Sequence, residues 1–267
     1  MKNILFSTDL SKNACKIALY AAELCRHVGA RLIIFHAYEP SKPVGKTDLV
    51  PEPATVEHAV QAKMDNLTRK LKQVPGLSIT RLTKPHLTDD ETLYIARKVK
   101  ADLVIMSTGS LSLESVTAAQ VTLRSLSEAN IPALLVPAKA SFSPYSRVAL
   151  FEETGEQQVN CIGINFLRHL SDATKDIELI KHLHASHRLA LAVDGVAEQT
   201  EWPVSTDPAL AIINGAQHNL APFVRACQPE LIVLPTSATE DGIAIASRIK
   251  SVQNKFIPIL LVPPAAA

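Results

Sequence analysis

Apolar residues fall along this chain in short continuous runs separated by longer stretches at helical spacing. Ile4 to Ser7, Arg31 to Ala37, Leu77 to Leu82, Asp102 to Met106 and Ile131 to Val136 read as strands. Between them Ala14, Ile17, Ala18, Ala21, Leu24, Cys25 and Val28 hold one face of a helix, and Gly29 is placed to end it. Pro40, Pro43, Pro51 and Pro53 mark a loop before Ala54 to Gln73 resumes a helical pattern. Thr88 to Glu91 fits a capping box that opens a helix carrying Leu93, Ile95, Ala96 and Val99. Val116, Ala119, Leu123 and Leu126 form the last apolar stripe of this stretch. The order predicts strands alternating with helices, hence a parallel sheet covered on both faces.

The pattern then restarts. After Ala138 the segment KASFSPYS is polar, contains Pro144 and suits a linker. The opening strand Ile4–Asp9 is echoed by Val148–Glu153, Asp102–Met106 by Glu230–Leu234, and the IPALLVP run from Ile131 by the IPILLVP run from Ile257. Three echoes in one order imply a duplication. It divides the chain into a first domain over 1–139 and a second, shortened domain over 146–267. The second copy is shorter where the first has its Pro-rich loop and long helix.

Composition adds limits. The chain has 267 residues, 47% hydrophobic but only 4% aromatic, which describes aliphatic cores of the kind found in buried parallel sheets. A net charge of +1 supplies no general field toward nucleic acid or an acidic membrane. The N-terminal apolar run is too short for a signal peptide and no stretch reaches the roughly 20 apolar residues of a membrane span, so the expected location is the cytoplasm. Cys15, Cys25, Cys161 and Cys227 are widely spaced, with no C-x-x-C pair, and read as free thiols.

At its repeated strands the chain resembles the universal stress protein family in its tandem, two-domain form. The resemblance rests on the opening strand into Thr8-Asp9, the second strand ending His36-Ala37, the DLVIMST strand and the IPALLVP strand. It implies two Rossmann-like, doubly wound, open parallel five-stranded sheets with helices on both faces. It also implies dimerisation through the last strand, either between two chains as a homodimer or inside one chain as a pseudo-dimer of Ile131–Val136 with Ile257–Val262. Many members bind ATP through a pattern G-x2-G-x9-G-[ST] after the fourth strand, with an aspartate after the first strand and a backbone contact at the end of the second.

Carried over by this resemblance, Thr8, Asp9 and Ala37 match the adenosine end. At the phosphate end Ser107 replaces the first glycine, one loop residue is missing, Gly109 fits the second glycine, and Ala119-Gln120 replace the Gly-[Ser/Thr] pair. Glycines in such loops let phosphate oxygens reach N–H groups without meeting a Cβ. Glu114 adds a negative charge and no Lys or Arg lies between Ser107 and Val121 to offset it. Ser107, Thr108, Ser110 and Ser112 remain as hydroxyls that cap the helix or hold a smaller anion. Ala119 shares the apolar face of Val116 and Leu123, Asp9 is either a helix cap or a ligand, and Gly109 is either a turn residue or a phosphate contact. In the second domain Glu153 stands in the aspartate position, and Pro235 to Gly242 offers one glycine beside Glu240 and Asp241.

His182 and His184 fall on one face of a candidate strand with His187 just beyond, but no adjacent carboxylate or cysteine completes a metal set. No G-x-S-x-G elbow, P-loop or paired-carboxylate motif is present. The expectation is therefore a non-enzymatic stress-response protein with a degraded nucleotide site, acting through a dimeric or partner-binding surface. The competing expectation is an ATP-binding, weakly hydrolysing regulatory module that uses the first domain. A third class is a small-ligand sensor with a pocket between the domains.

Overall fold

The computed structural model describes residues 1–38, 53–85, 90–110, 118–151, 167, 169–170, 178–182, 228–236 and 256–263. Its elements are β1 (Asn3–Ser7), α1 (Ala14–Val28), β2 (Arg31–Tyr38), α2 (Pro53–Leu71), β3 (Ile79–Pro85), α3 (Glu91–Lys98), β4 (Leu103–Ser107), α4 (Ala118–Glu128), β5 (Ala133–Val136), β6 (Arg147–Phe151), β7 (Glu178–His182), β8 (Leu231–Pro235) and β9 (Ile259–Val262). The strands form one nine-stranded sheet in the order β3-β2-β1-β4-β5-β9-β8-β6-β7. Every neighbouring pair is parallel except β5 with β9, where Ala133, Leu134 and Leu135 oppose Leu261, Leu260 and Ile259. This is an α/β fold built on a mostly parallel open sheet.

Strand alternation sorts the core into two layers. Ile4, Phe6, Leu32, Ile34, Leu103 and Ile105 point to the face covered by Ile17, Tyr20 and Leu24 of α1 and Met64 and Leu71 of α2. Leu5, Ile33, Phe35, Val104 and Met106 point to the opposite face, under Ile95 of α3 and Leu123 and Leu126 of α4. The same layers run on across β9, β8 and β6, through Leu260, Val233 and Val148 on one side and Ile259, Ile232 and Ala149 on the other.

Three helices of the first half stop in one way. Ala30 N–H donates to the Cys25 carbonyl, Ala101 N–H to Ala96 and Ile131 N–H to Leu126. Each bond closes around a left-handed residue, Gly29, Lys100 and Asn130 respectively. Two helix starts differ from the sequence reading. α3 is capped by Asp90, whose Oδ1 accepts the Leu93 N–H at 3.0 Å, while Thr88 lies outside the described residues. α1 begins beyond Asn13, so Asp9 does not cap it. β3 also starts later than expected, because the turn through Gly76 (φ 74°) occupies the residues before it.

The linker is more than a spacer. Tyr145 is buried and its hydroxyl bonds that of Tyr20 on α1, with Phe142 packed edge-on against both rings. Burial raises both tyrosine pKa values, so the pair stays neutral and hydrogen-bonded.

A candidate nucleotide-type site at the strand ends

In a parallel sheet the loops leaving the strands collect along one edge, and a crevice opens where successive connections depart in opposite directions. That point here lies between β1 and β4, since β1 leads outward to β2 and β4 to β5. The fold therefore brings Thr8 and Asp9 after β1, Ala37 in β2, Ser107 at the end of β4 and Thr108 and Gly109 just after it to the ends of three adjacent strands.

The loop after β1 is held by its own side chains. Thr8 Oγ1 accepts the Leu10 N–H at 3.1 Å, and Asp9 Oδ1 accepts the Ser11 N–H at 2.9 Å. These two turns keep Leu10 left-handed at φ 54°, a conformation disfavoured for a leucine. The half-buried His36 donates from Nδ1 to the Thr8 carbonyl at 2.7 Å. Burial lowers its pKa, and Lys63 pushes the same way against the Thr8 carbonyl and Asp9. The imidazole is thus neutral at neutral pH, with Nε2 left as an acceptor. Sequence reading placed His36 only as a strand end; its bond to Thr8 and the field from Lys63 join three separate elements and leave no local signal.

The loop after β4 is built differently. Ser107 Oγ accepts the Gly109 N–H at 3.1 Å within a short 3-10 turn, Thr108–Ser110. Gly109 is not left-handed, and a Cβ there would meet only Ser107 Oγ, at 3.4 Å. Nothing in the backbone demands a glycine. Ala119 is 8% exposed and packs with Leu123 in the core, and Gln120 is 1% exposed. Glu114 and Ser112 lie outside the described residues.

A buried polar group lies at the start of α3. Ser7 Oγ and Thr92 Oγ1 are 3.0 Å apart, Thr122 Oγ1 of α4 reaches Asp90 Oδ1 at 3.5 Å, and Asp90 Oδ2 is buried without a partner. Lys84 pairs with the buried Glu91 and sits 4.5 Å over the Tyr94 ring, so its charge is already spent. Among the described residues no group of three His, Cys, Asp or Glu side chains could hold a metal. His182 ends β7 opposite Phe151, while His184 and His187 lie outside the described residues.

A model of the universal stress protein family matches residues 1–137. This chain belongs to the universal stress protein family. Among solved structures it is similar to a universal stress protein from Archaeoglobus fulgidus, with a TM-score of 0.65 at 15% identity, covering 98% of this chain and 96% of that one. It is also similar to a functionally unknown protein from Pseudomonas aeruginosa PAO1, with a TM-score of 0.55 at 14% identity, covering 99% and 93%. At such identities the likeness speaks for the fold alone. No curated protein matches the chain.

Within this universal stress protein the second half presents other chemistry at its strand ends. Thr236, just after β8, is 2% exposed. Its hydroxyl donates to the Val262 carbonyl at 3.3 Å and accepts from Ser127 of α4 at 2.7 Å. The Thr236 hydroxyl is therefore committed to the junction between the halves. Glu153, Glu240 and Asp241 lie outside the described residues. Among those residues no helix is long and apolar enough to cross a membrane.

Proposed function

We propose that the chain is a tandem universal stress protein of the cytoplasm, with domains over 1–139 and 146–267, that acts as a non-enzymatic stress-response module through partner binding rather than nucleotide turnover. The observation that carries this reading is the burial of Ala119 and Gln120. In the family pattern these positions would turn a glycine and a hydroxyl toward phosphate, whereas here their side chains point into protein. The antiparallel β5–β9 pairing supports an internal pseudo-dimer, since each strand covers the other's edge.

A second reading, ATP held by the first half, is favoured by the fixed Thr8–Asp9 turn and the neutral His36 beside Ala37 at the adenosine end. Thermal melting with Mg-ATP separates the two. A ligand at one hundred times its Kd adds about 2.7 kcal/mol, which would raise the melting temperature by several degrees. Partner-only function predicts no shift at millimolar Mg-ATP, and a saturable shift would establish the nucleotide reading instead.

A further inference from the structure

Among the described strands the sheet ends at β3. In a parallel pair, alternate residues turn both backbone groups toward the neighbour. Leu32 N–H donates to the Ser78 carbonyl and Leu32 faces Ile79 in register, so Ser78, Thr80 and Leu82 serve β2. The N–H groups of Ile79, Arg81 and Thr83 therefore point away from the sheet. Beside them, between β3 and the end of α2, lies an open cleft of about 730 Å³. Its walls are apolar at Val74, Leu77 and Ile79 and basic at Arg69, Lys72 and Arg81.

The charges select the occupant. Arg81 is paired with Asp65, whereas neither Arg69 nor Lys72 is in an ion pair among the described residues. A second copy of this edge would bring basic side chains against basic side chains, so self-association is disfavoured. An acidic strand meets the opposite situation. Its backbone would pair with the N–H and carbonyl groups of β3 that face away from β2, and on its cleft-facing side apolar side chains would lie on Val74 and Leu77 and carboxylates would face Arg69 and Lys72. Pro85, with no N–H, limits pairing at the far end of the strand.

We propose that the β3 edge and its cleft bind an extended acidic peptide segment of a partner protein, added to the sheet as a further strand. The inference rests on reading the chain as a partner-binding module. The two fail separately, because an ATP-dependent melting shift would overturn that reading and leave binding at β3 unaffected.

The test uses the full chain and fluorescently labelled peptides of repeating Val-Val-Glu-Glu, which puts both residue types on each face of a strand, followed by anisotropy. Saturable binding is expected, weakened ~10-fold or more in an R69E/K72E variant and by added salt. Both substitutions are at exposed positions, and an unchanged melting temperature checks that the variant folds. A peptide N-methylated at every residue, which has no N–H on either edge to pair with a strand, should lose binding. Equal binding of the N-methylated peptide, of a valine–lysine peptide, or of the acidic peptide to the variant would overturn the proposal, as would no binding at all.

Discussion

The two halves agree where their strands begin and differ where their strands end. Before β4, Asp102 accepts the N–H groups of Lys2 and Asn3 at 2.6 and 2.9 Å, and its own N–H donates to the Asn3 carbonyl. Before β8, Glu230 accepts those of Ser146 and Arg147 at 2.6 and 3.2 Å and donates to the Arg147 carbonyl. Val104 and Ile232 then donate to the carbonyls of Pro132 and Pro258. At the other edge, Thr108 opens a turn beside a candidate site while Thr236 is locked against α4 and β9. The strand beginnings share one framework; the strand ends carry different contacts in each half.

Breaking the entry to the second half should cost most. Tyr145→Ala removes a buried ring and should destabilise the protein by about 3–5 kcal/mol in urea unfolding. Tyr145→Phe keeps the ring but strands the Tyr20 hydroxyl, for about 1–3 kcal/mol. If Tyr145→Ala were silent, the linker would not be anchored to α1.

The matching carboxylates give the sharper comparison. Asp102→Ala and Glu230→Ala should each cost about 1–2 kcal/mol, discounted for their exposure, with Glu230 the larger because it also accepts from Ser146 Oγ at 3.0 Å. Partial burial would raise the Glu230 pKa, but the Ser146 and Arg147 N–H groups, the Ser146 hydroxyl and the Arg147 charge together lower it. Its folded pKa is thus below the unfolded one, so its stabilisation is present above the ordinary value of 4.5 and lost as pH falls through the folded pKa. Stability of E230Q measured from pH 7 to pH 3 should decline less steeply than that of the parent. Parallel curves would show that the clamp contributes nothing.

The smallest effect concerns the shared helix ending. Lys100 is left-handed where α1 uses glycine, so Lys100→Gly should stabilise by about 0.5–1 kcal/mol by relieving its backbone. Circular-dichroism melts would register it as a rise of a few degrees, and a fall would mean that the lysine side chain matters more than its φ.

Strand order in the first half was legible because apolar runs and helical stripes report burial directly. Ala119 and Leu123 share a period, and the structure puts both in one core. Boundaries were less legible: β3 starts only after the turn at Gly76, and the described cap of α3 is Asp90, directly before its first turn, while Thr88 lies outside the described residues. The candidate site was legible only as positions. That Gly109 needs no glycine conformation is set by the local backbone beside Ser107, while the enclosure of Gln120 and the bond of His36 to Thr8 depend on the packing of the folded chain. The anchoring of the linker was hidden for the same reason, since Phe142 and Tyr145 look like isolated aromatics until Tyr20 is placed beside them.

The antiparallel pairing of β5 with β9 has a consequence for synthesis. β9 is the last described strand to leave the ribosome, so the first half, whose described strands end at Val136, must wait with the β9-facing edge of β5 unpaired while its other edge pairs with β4. During that interval β5 presents an open apolar edge of the kind that recruits other nascent strands. The cell's exposure to aggregation of this protein is then set by elongation time through its second half, and slow codons there would lengthen it.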